Sequence, residues 1–148
     1  DNLCFTLDHR LPEVWRSNRL RRGIERECGE LLESELFTLW PDQLTTPQKY
    51  DLIYTRVLLQ KPKVIFCVQP FQGADMELRM RIWNHLKRLQ EQGTALVILA
   101  VNLADSLSLA HQLLRIRRDG PHEYYGREDF SHLSDSTPWA NFYQHFQI

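Results

Sequence analysis

The chain has 148 residues, 18 Lys+Arg against 19 Asp+Glu, a formal net charge of -1, 43% hydrophobic and 25% charged residues. That length and apolar content fit one globular domain with a sizeable core, not a disordered chain. The near-neutral charge excludes the basic excess of a dedicated nucleic-acid binder, and no run approaches the roughly 18 apolar residues of a membrane helix.

Residues 1–18 read as irregular around Pro12, although Leu3, Phe5 and Leu7 alternate as in a short strand. Over residues 19–37, Leu20, Ile24, Cys28, Leu31, Leu32 and Leu36 recur at helical spacing, interrupted by Gly23 and Gly29. Trp40-Pro41-Asp42 ends that helix. A second helix opens at Leu44-Thr45-Thr46-Pro47, with Thr46 as its cap and Pro47 at its first position. It runs to about Gln60, with Leu52, Ile53 and Val57 facing inward. Lys61-Pro62-Lys63 stops it.

Val64-Ile65-Phe66-Cys67-Val68 is a continuous apolar run, which predicts a strand buried on both faces of a parallel sheet. Gln69-Pro70-Phe71-Gln72-Gly73 is a loop. Residues 76–91 form the clearest helix, with Leu78, Ile82, Leu86 and Leu89 in one stripe and Arg79, Arg81, Lys87 and Arg88 outside it. Gly93 terminates it. Residues 95–101 predict a second buried strand, residues 103–110 a short helix and residues 112–117 a third strand. Asp119-Gly120-Pro121 is a turn. The alternation over residues 64–117 predicts a βαβαβ unit with a parallel sheet. The organisation that follows is a single domain: a helical subdomain (1–61), a parallel α/β core (62–120) and a tail (121–148). The tail is rich in histidine and aromatics: Tyr124, Tyr125, Phe130, Trp139, Phe142, Tyr143 and Phe146.

The three cysteines, Cys4, Cys28 and Cys67, form no C-x-x-C pair, so neither a disulfide framework nor a zinc site is expected. A reducing compartment fits them, and Cys67 and Cys28 read as inert core residues. No signal-peptide pattern opens the sequence, and its methionines are Met76 and Met80, which suits a processed form or an excerpt of a longer protein. Sheets of this kind bind ligands at the carboxyl ends of their strands. Here those ends carry Val68-Gln69-Pro70 and Val101-Asn102, where amides replace the acids that hold magnesium and activate water. No G-x-x-x-x-G-K-[ST], G-x-G-x-x-G or G-x-S-x-G pattern stands in the chain. His111, His122, His132 and His145 match no familiar metal-ligand spacing, and surface or structural roles are expected of them. Arg16, Arg19, Arg21, Arg22 and Arg26 are diluted by Glu13, Glu25 and Glu27, as on a solvated helix face.

Residues 44–75 resemble the ATPase domains of ABC transporters, from the signature motif to the D-loop. Leu44-Thr45-Thr46-Pro47-Gln48 stands where that family has its LSGGQ-type signature. Thr55-Arg56-Val57-Leu58, then Pro62-Lys63-Val64, follow at the family's spacing. Val68-Gln69-Pro70 stands at the end of the Walker B strand, and Gly73-Ala74-Asp75 at the D-loop. The resemblance extends to Arg81-Ile82-Trp83 and Leu86, to the strand ending at Val101, to residues 105–113 and to Asp1-Asn2-Leu3. It is nearest in pattern to the second ATPase half of ribose/galactose-type importers.

The departures are as informative. Thr45, Thr46 and Pro47 replace the small signature residues, adding bulk and removing one N–H donor. Val68 replaces the Walker B aspartate, Gln69 the catalytic glutamate and Val101 the switch histidine. Asp75 is retained, and the Walker A loop would precede Asp1. The resemblance therefore implies a partial ABC-ATPase-like, P-loop-type fold without catalytic residues. No cofactor is expected, and ATP with magnesium only if an intact partner domain supplies the site. The implied partners are an intact ABC ATPase domain, permease subunits or a second copy, with Trp15 and Trp40 as candidate contacts and no nucleic acid. The implied location is cytoplasmic, peripheral to the inner membrane. The alternative is a stand-alone interaction module that reuses the fold. A weak nucleotidase or a histidine metal site is the residual reading.

Overall fold

A computed structural model describes Arg22, residues 39–100 and residues 106–130. The expectations for residues 1–18, for the helix over 19–37, and for Cys4, Cys28, Trp15, Val101, His132, His145, Trp139, Phe142, Tyr143 and Phe146 lie outside them.

Helix α1 spans Thr46–Gln60. Its cap is Thr45, not Thr46: the Thr45 side chain accepts from the Gln48 N–H, and the Gln48 side chain accepts from the Thr45 N–H. The paired exchange outranks a cap one residue later because it satisfies two orphan donors at once. Pro47 follows in the first turn, where its missing N–H costs nothing. Lys61, in left-handed backbone at φ 47°, closes the helix. Strand β1 is Val64–Val68, helix α2 Met76–Glu91 and strand β2 Ala95–Leu99. Asp75 caps α2 by accepting from the Leu78 N–H at 2.9 Å. Gly93 follows α2 at φ 89°, a conformation that suits glycine, and ends it as expected.

β1 and β2 pair. The Ala95 N–H donates to the Lys63 carbonyl and the Gln69 N–H to the Leu99 carbonyl, so the strands run in the same direction. This is the βαβ half of the expected pattern. The expected third parallel strand does not form among the described residues. Strand β3, Gln112–Arg115, pairs antiparallel with β4, Glu123–Gly126, matching Leu113 with Tyr125 and Leu114 with Tyr124. The bend at Asp119-Gly120 folds the chain back, with Gly120 at φ 110°, so that β3 meets a near partner at a slightly lower loop-closure cost than a more distant one. Residues 106–109 form a hydrogen-bonded turn instead of the expected helix.

The chain divides into two compact units, one of Asp1–Cys67 with Gln72–Val97 and the other of Val68–Phe71 with Ile98–Ile148. In the first, Leu78, Ile82, Leu86 and Leu89 of α2 are buried, as the stripe predicts. Each contributes roughly 1.5–3 kcal/mol. Leu58 and Leu89 form a cluster with Tyr54, Val57, Leu59, Ile65 and Leu96 against it. With Asp51 beside Arg81 and Leu58 beside Leu89, α1 and α2 run side by side in one direction. Ile53, expected inward, is 55% exposed, and Val57 is partly buried. In the second unit, Phe71, Leu107, Leu109 and Phe130 are buried.

The strands are not buried on both faces. Val64, Phe66 and Val68 of β1 and Val97 and Leu99 of β2 are exposed, while Ile65, Cys67, Leu96 and Ile98 are half-buried. Packing covers one side, and alternation decides which residues it receives. Cys67 is accordingly a half-buried free thiol, not a fully buried core residue, and burial pushes its pKa upward. Arg79, Arg81, Lys87 and Arg88 lie outside the buried stripe, as expected, and are half-buried. Among the described residues, no helix is long and apolar enough to cross a membrane.

Candidate functional site

The motif-equivalent positions divide between the units. Leu44, Thr45, Thr46, Pro47, Gln48 and Asp75 belong to the first, Val68 and Gln69 to the second.

At the start of α1, Leu44 is buried at 4% exposure and anchors the turn, while Thr45 and Thr46 face solvent. Gln48 is buried and folded back onto the Thr45 N–H at 2.9 Å. A helix N-terminus binds anions through its free N–H groups. Here Pro47 has none, the Gln48 N–H is held by the Thr45 hydroxyl and the Lys49 N–H by the Thr45 carbonyl. Two donors of the first turn, the Gln48 and Lys49 N–H groups, are thus engaged within the turn itself. At the start of α2, one Asp75 oxygen is committed to the Leu78 N–H. Arg79 ties the same corner down through its Nε–H, which donates to the Ala74 carbonyl at 2.8 Å.

In the second unit, Val68 ends β1 with its surface 71% exposed. Gln69 follows in left-handed backbone at φ 47°, unusual for a residue with a side chain. Its N–H donates to the Leu99 carbonyl at 2.8 Å, which ties the start of the turn to the end of β2. A valine offers no oxygen to magnesium, and a neutral amide takes no proton from water. The donor set at this strand end does not fit a magnesium–nucleotide group.

Trp40 is 73% exposed in the turn before α1, where its N–H donates to the Gln43 side chain at 2.9 Å. His111 and His122 are exposed, and His122 accepts from the Arg117 N–H. Among the described residues, no group of three or more His, Cys, Asp or Glu is placed to hold a metal ion.

Among the described residues, a buried polar constellation that the motifs do not reveal joins α1 to α2. Asp51 of α1 is 5% exposed. One of its oxygens accepts from Arg81 Nη1 at 2.8 Å, and the other lies 2.8 Å from His85 Nε2. Arg81 also reaches Glu77 at 3.1 Å. The hydrogen bond that Arg81 donates to Asp51 is the first cause holding the guanidinium pKa above its ordinary value. Because a carboxylate only accepts, His85 Nε2 carries the proton, and Nδ1 is buried with no hydrogen-bond partner among the described residues. The Tyr54 ring stacks on His85 at 5.3 Å, and burial, more than its neighbours Cys67 and Tyr50, holds its phenol well above the ordinary tyrosine range. The signal was present: Gln48, Asp51, Thr55 and Leu58 follow one helical stripe, and His85 falls on the Leu78–Ile82–Leu89 stripe. Periodicity marks both as inward, but it pairs neither with the other.

No protein-family model matches the chain. Individual relatives do. The Fe(3+) ions import ATP-binding protein FbpC of Pseudomonas fluorescens is 31% identical over 118 residues, 79% of this chain and 32% of the relative. The trehalose/maltose import ATP-binding protein MalK of Thermococcus litoralis is 28% identical over 120 residues, 80% of this chain and 31% of the relative. The ribose import ATP-binding protein RbsA of Ruegeria sp. is 24% identical over 132 residues, 84% of this chain and 24% of the relative. The chain thus spans about a third or less of the length of the curated relatives it matches. With the parallel βαβ unit and the spacing of residues 44–75, these matches make the chain a relative of the ATP-binding proteins of ABC transporters, corresponding to part of their length.

Proposed function

We propose that this chain is a non-catalytic ABC-ATPase-like domain, acting as a structural or regulatory partner in an import system of carbohydrate type. The observation that carries the reading is the pair Val68–Gln69 at the end of β1, where the family's chemistry requires two acids. The closed first turn of α1 and the commitment of one Asp75 oxygen to a helix cap add to it. At each turn the cap engages an N–H group, that of Gln48 or Leu78, that a phosphate there would use. The carbohydrate assignment rests on the trehalose/maltose and ribose relatives, whose printed names give those cargoes. Its partners are then an intact ATPase domain or permease subunits, with exposed Trp40 as a contact. It works beside the membrane on the side where ATP is available. It holds no ATP or magnesium of its own, and would share them only at a site completed by an intact partner.

Isothermal calorimetry of the chain with ATP and magnesium tests the reading. The expected result is no heat of binding at millimolar ATP, both alone and after Gln69→Glu. Micromolar affinity would refute it, because a site built from other residues would then exist. The second reading, a stand-alone interaction module, draws on the exposed Phe66, Val64 and Val97 of the sheet. Co-purification of the chain with permease or ATPase subunits separates the two.

A further inference from the structure

In the first compact unit the two sides of the sheet differ. On one side, Ile65 of β1 and Leu96 of β2 pack against Leu58 and Leu89 of the helices. On the other, Val64, Phe66 and Val97 are 49%, 71% and 41% exposed, and Ala95 is exposed as well. A sheet side that faces water alternates apolar with polar residues. Here the outward positions, Val64 and Phe66 on β1 and Ala95 and Val97 on β2, are all apolar. Parallel strands of that composition carry helices on both faces. β1 and β2 thus have the composition of a pair covered twice, and the described residues cover it once.

We propose that this outer side seats the apolar stripe of a helix, supplied by polypeptide equivalent to the length of the relatives that this chain does not match. Two observations select that occupant. The FbpC relative matches 79% of this chain over 32% of its own length, and the MalK relative 80% over 31%. Most of each relative therefore lies outside the match, enough to bring further helices to the sheet. The face is also narrow. Four side chains fall well below the roughly 20–30 residues a side of a stable contact between separate molecules, which disfavours a second copy. A helix held nearby by its own chain needs no such area, because linkage raises its effective concentration. Such seating needs no nucleotide, so it holds whether or not the chain is catalytic.

Thiol labelling tests this in the whole chain and in a fusion where the whole chain replaces the 118 matched residues of the FbpC relative. Val64→Cys and Val97→Cys report on the face, and Asn84→Cys on an exposed position of α2. Iodoacetamide is the probe, read site by site by mass spectrometry. In the chain alone, all three positions should label at similar rates. In the fusion, positions 64 and 97 should slow together by about 10-fold or more while position 84 is unchanged. Equal labelling of all three in the fusion would overturn the proposal. So would slow labelling of 64 and 97 in the chain alone, whether at every concentration (cover by the chain itself) or only at high concentration (cover by a second copy). If the fusion shows no cooperative unfolding in urea, Val64→Thr with Val97→Thr in the chain alone decides. Little change in stability is expected, and a loss as large as that of a buried leucine replaced by Ala would overturn the proposal.

Discussion

Replacing Phe66 with Thr measures whether the outer side of β1 is open to water. Phe66 is 71% exposed, so less than a third of its surface is covered on folding. On the ~200 Å² scale of an aromatic residue that is about 60 Å², worth about 1.5 kcal/mol at ~25 cal/mol per Å² and less against a compact unfolded chain. Thr keeps the strand preference, so the backbone contribution is held nearly constant. Leu89, at 0% exposure, is the control, and Leu89→Ala should cost about 2–5 kcal/mol. Urea unfolding followed by circular dichroism, with unchanged slopes, gives both values. A loss for Phe66→Thr as large as that for Leu89→Ala would refute the reasoning. It would mean that the face is covered in solution, as a continuous apolar strand implies by itself.

Thr45→Ala removes the hydroxyl from a reciprocal cap and should cost about 1 kcal/mol by the same assay; Asp75→Ala should cost a similar amount, and Asp75→Asn much less, because Asn caps nearly as well. The hairpin should loosen in acid. Glu123 accepts from Tyr125 at 2.8 Å and pairs with Arg117 at 2.7 Å, and these contacts, the tyrosine bond first, hold its pKa below the ordinary carboxylate value. A depressed folded pKa gives stability that is present above the unfolded value and lost as pH falls through the folded one. Cross-strand NMR contacts between Leu114 and Tyr124 should therefore persist at neutral pH and fade in acid, while Glu123→Gln should remove that pH dependence.

How much of this was legible in the sequence depends on the range of the interaction. α2 was readable almost residue by residue, because Leu78, Ile82, Leu86 and Leu89 repeat at the helical period and Gly93 supplies the left-handed stop. α1 was readable to within one residue at its start. The error at Thr46 arose because Thr45 and Thr46 are both capping residues, and only the return of the Gln48 side chain chooses between them. The strand positions of β1 and β2 were readable from composition, and the order of motif-like segments over residues 44–75 already pointed to the ABC ATPase relatives.

Other features needed the folded chain. Whether an apolar strand is covered on one side or two depends on what packs against it, and here Val64, Phe66 and Val68 stay exposed. Whether residues 112–115 join a parallel sheet or fold into a hairpin depends on competition between a distant partner and a near one. Glu123–Gly126 supplied the near one, at a smaller loop-closure cost. The Asp51–Arg81–His85 contact joins residues 30 and 34 positions apart. Local pattern fixes which side of a helix is inward because that is a property of one helix. Which buried charge meets which is a property of two, and only the tertiary structure brings them within 2.8 Å.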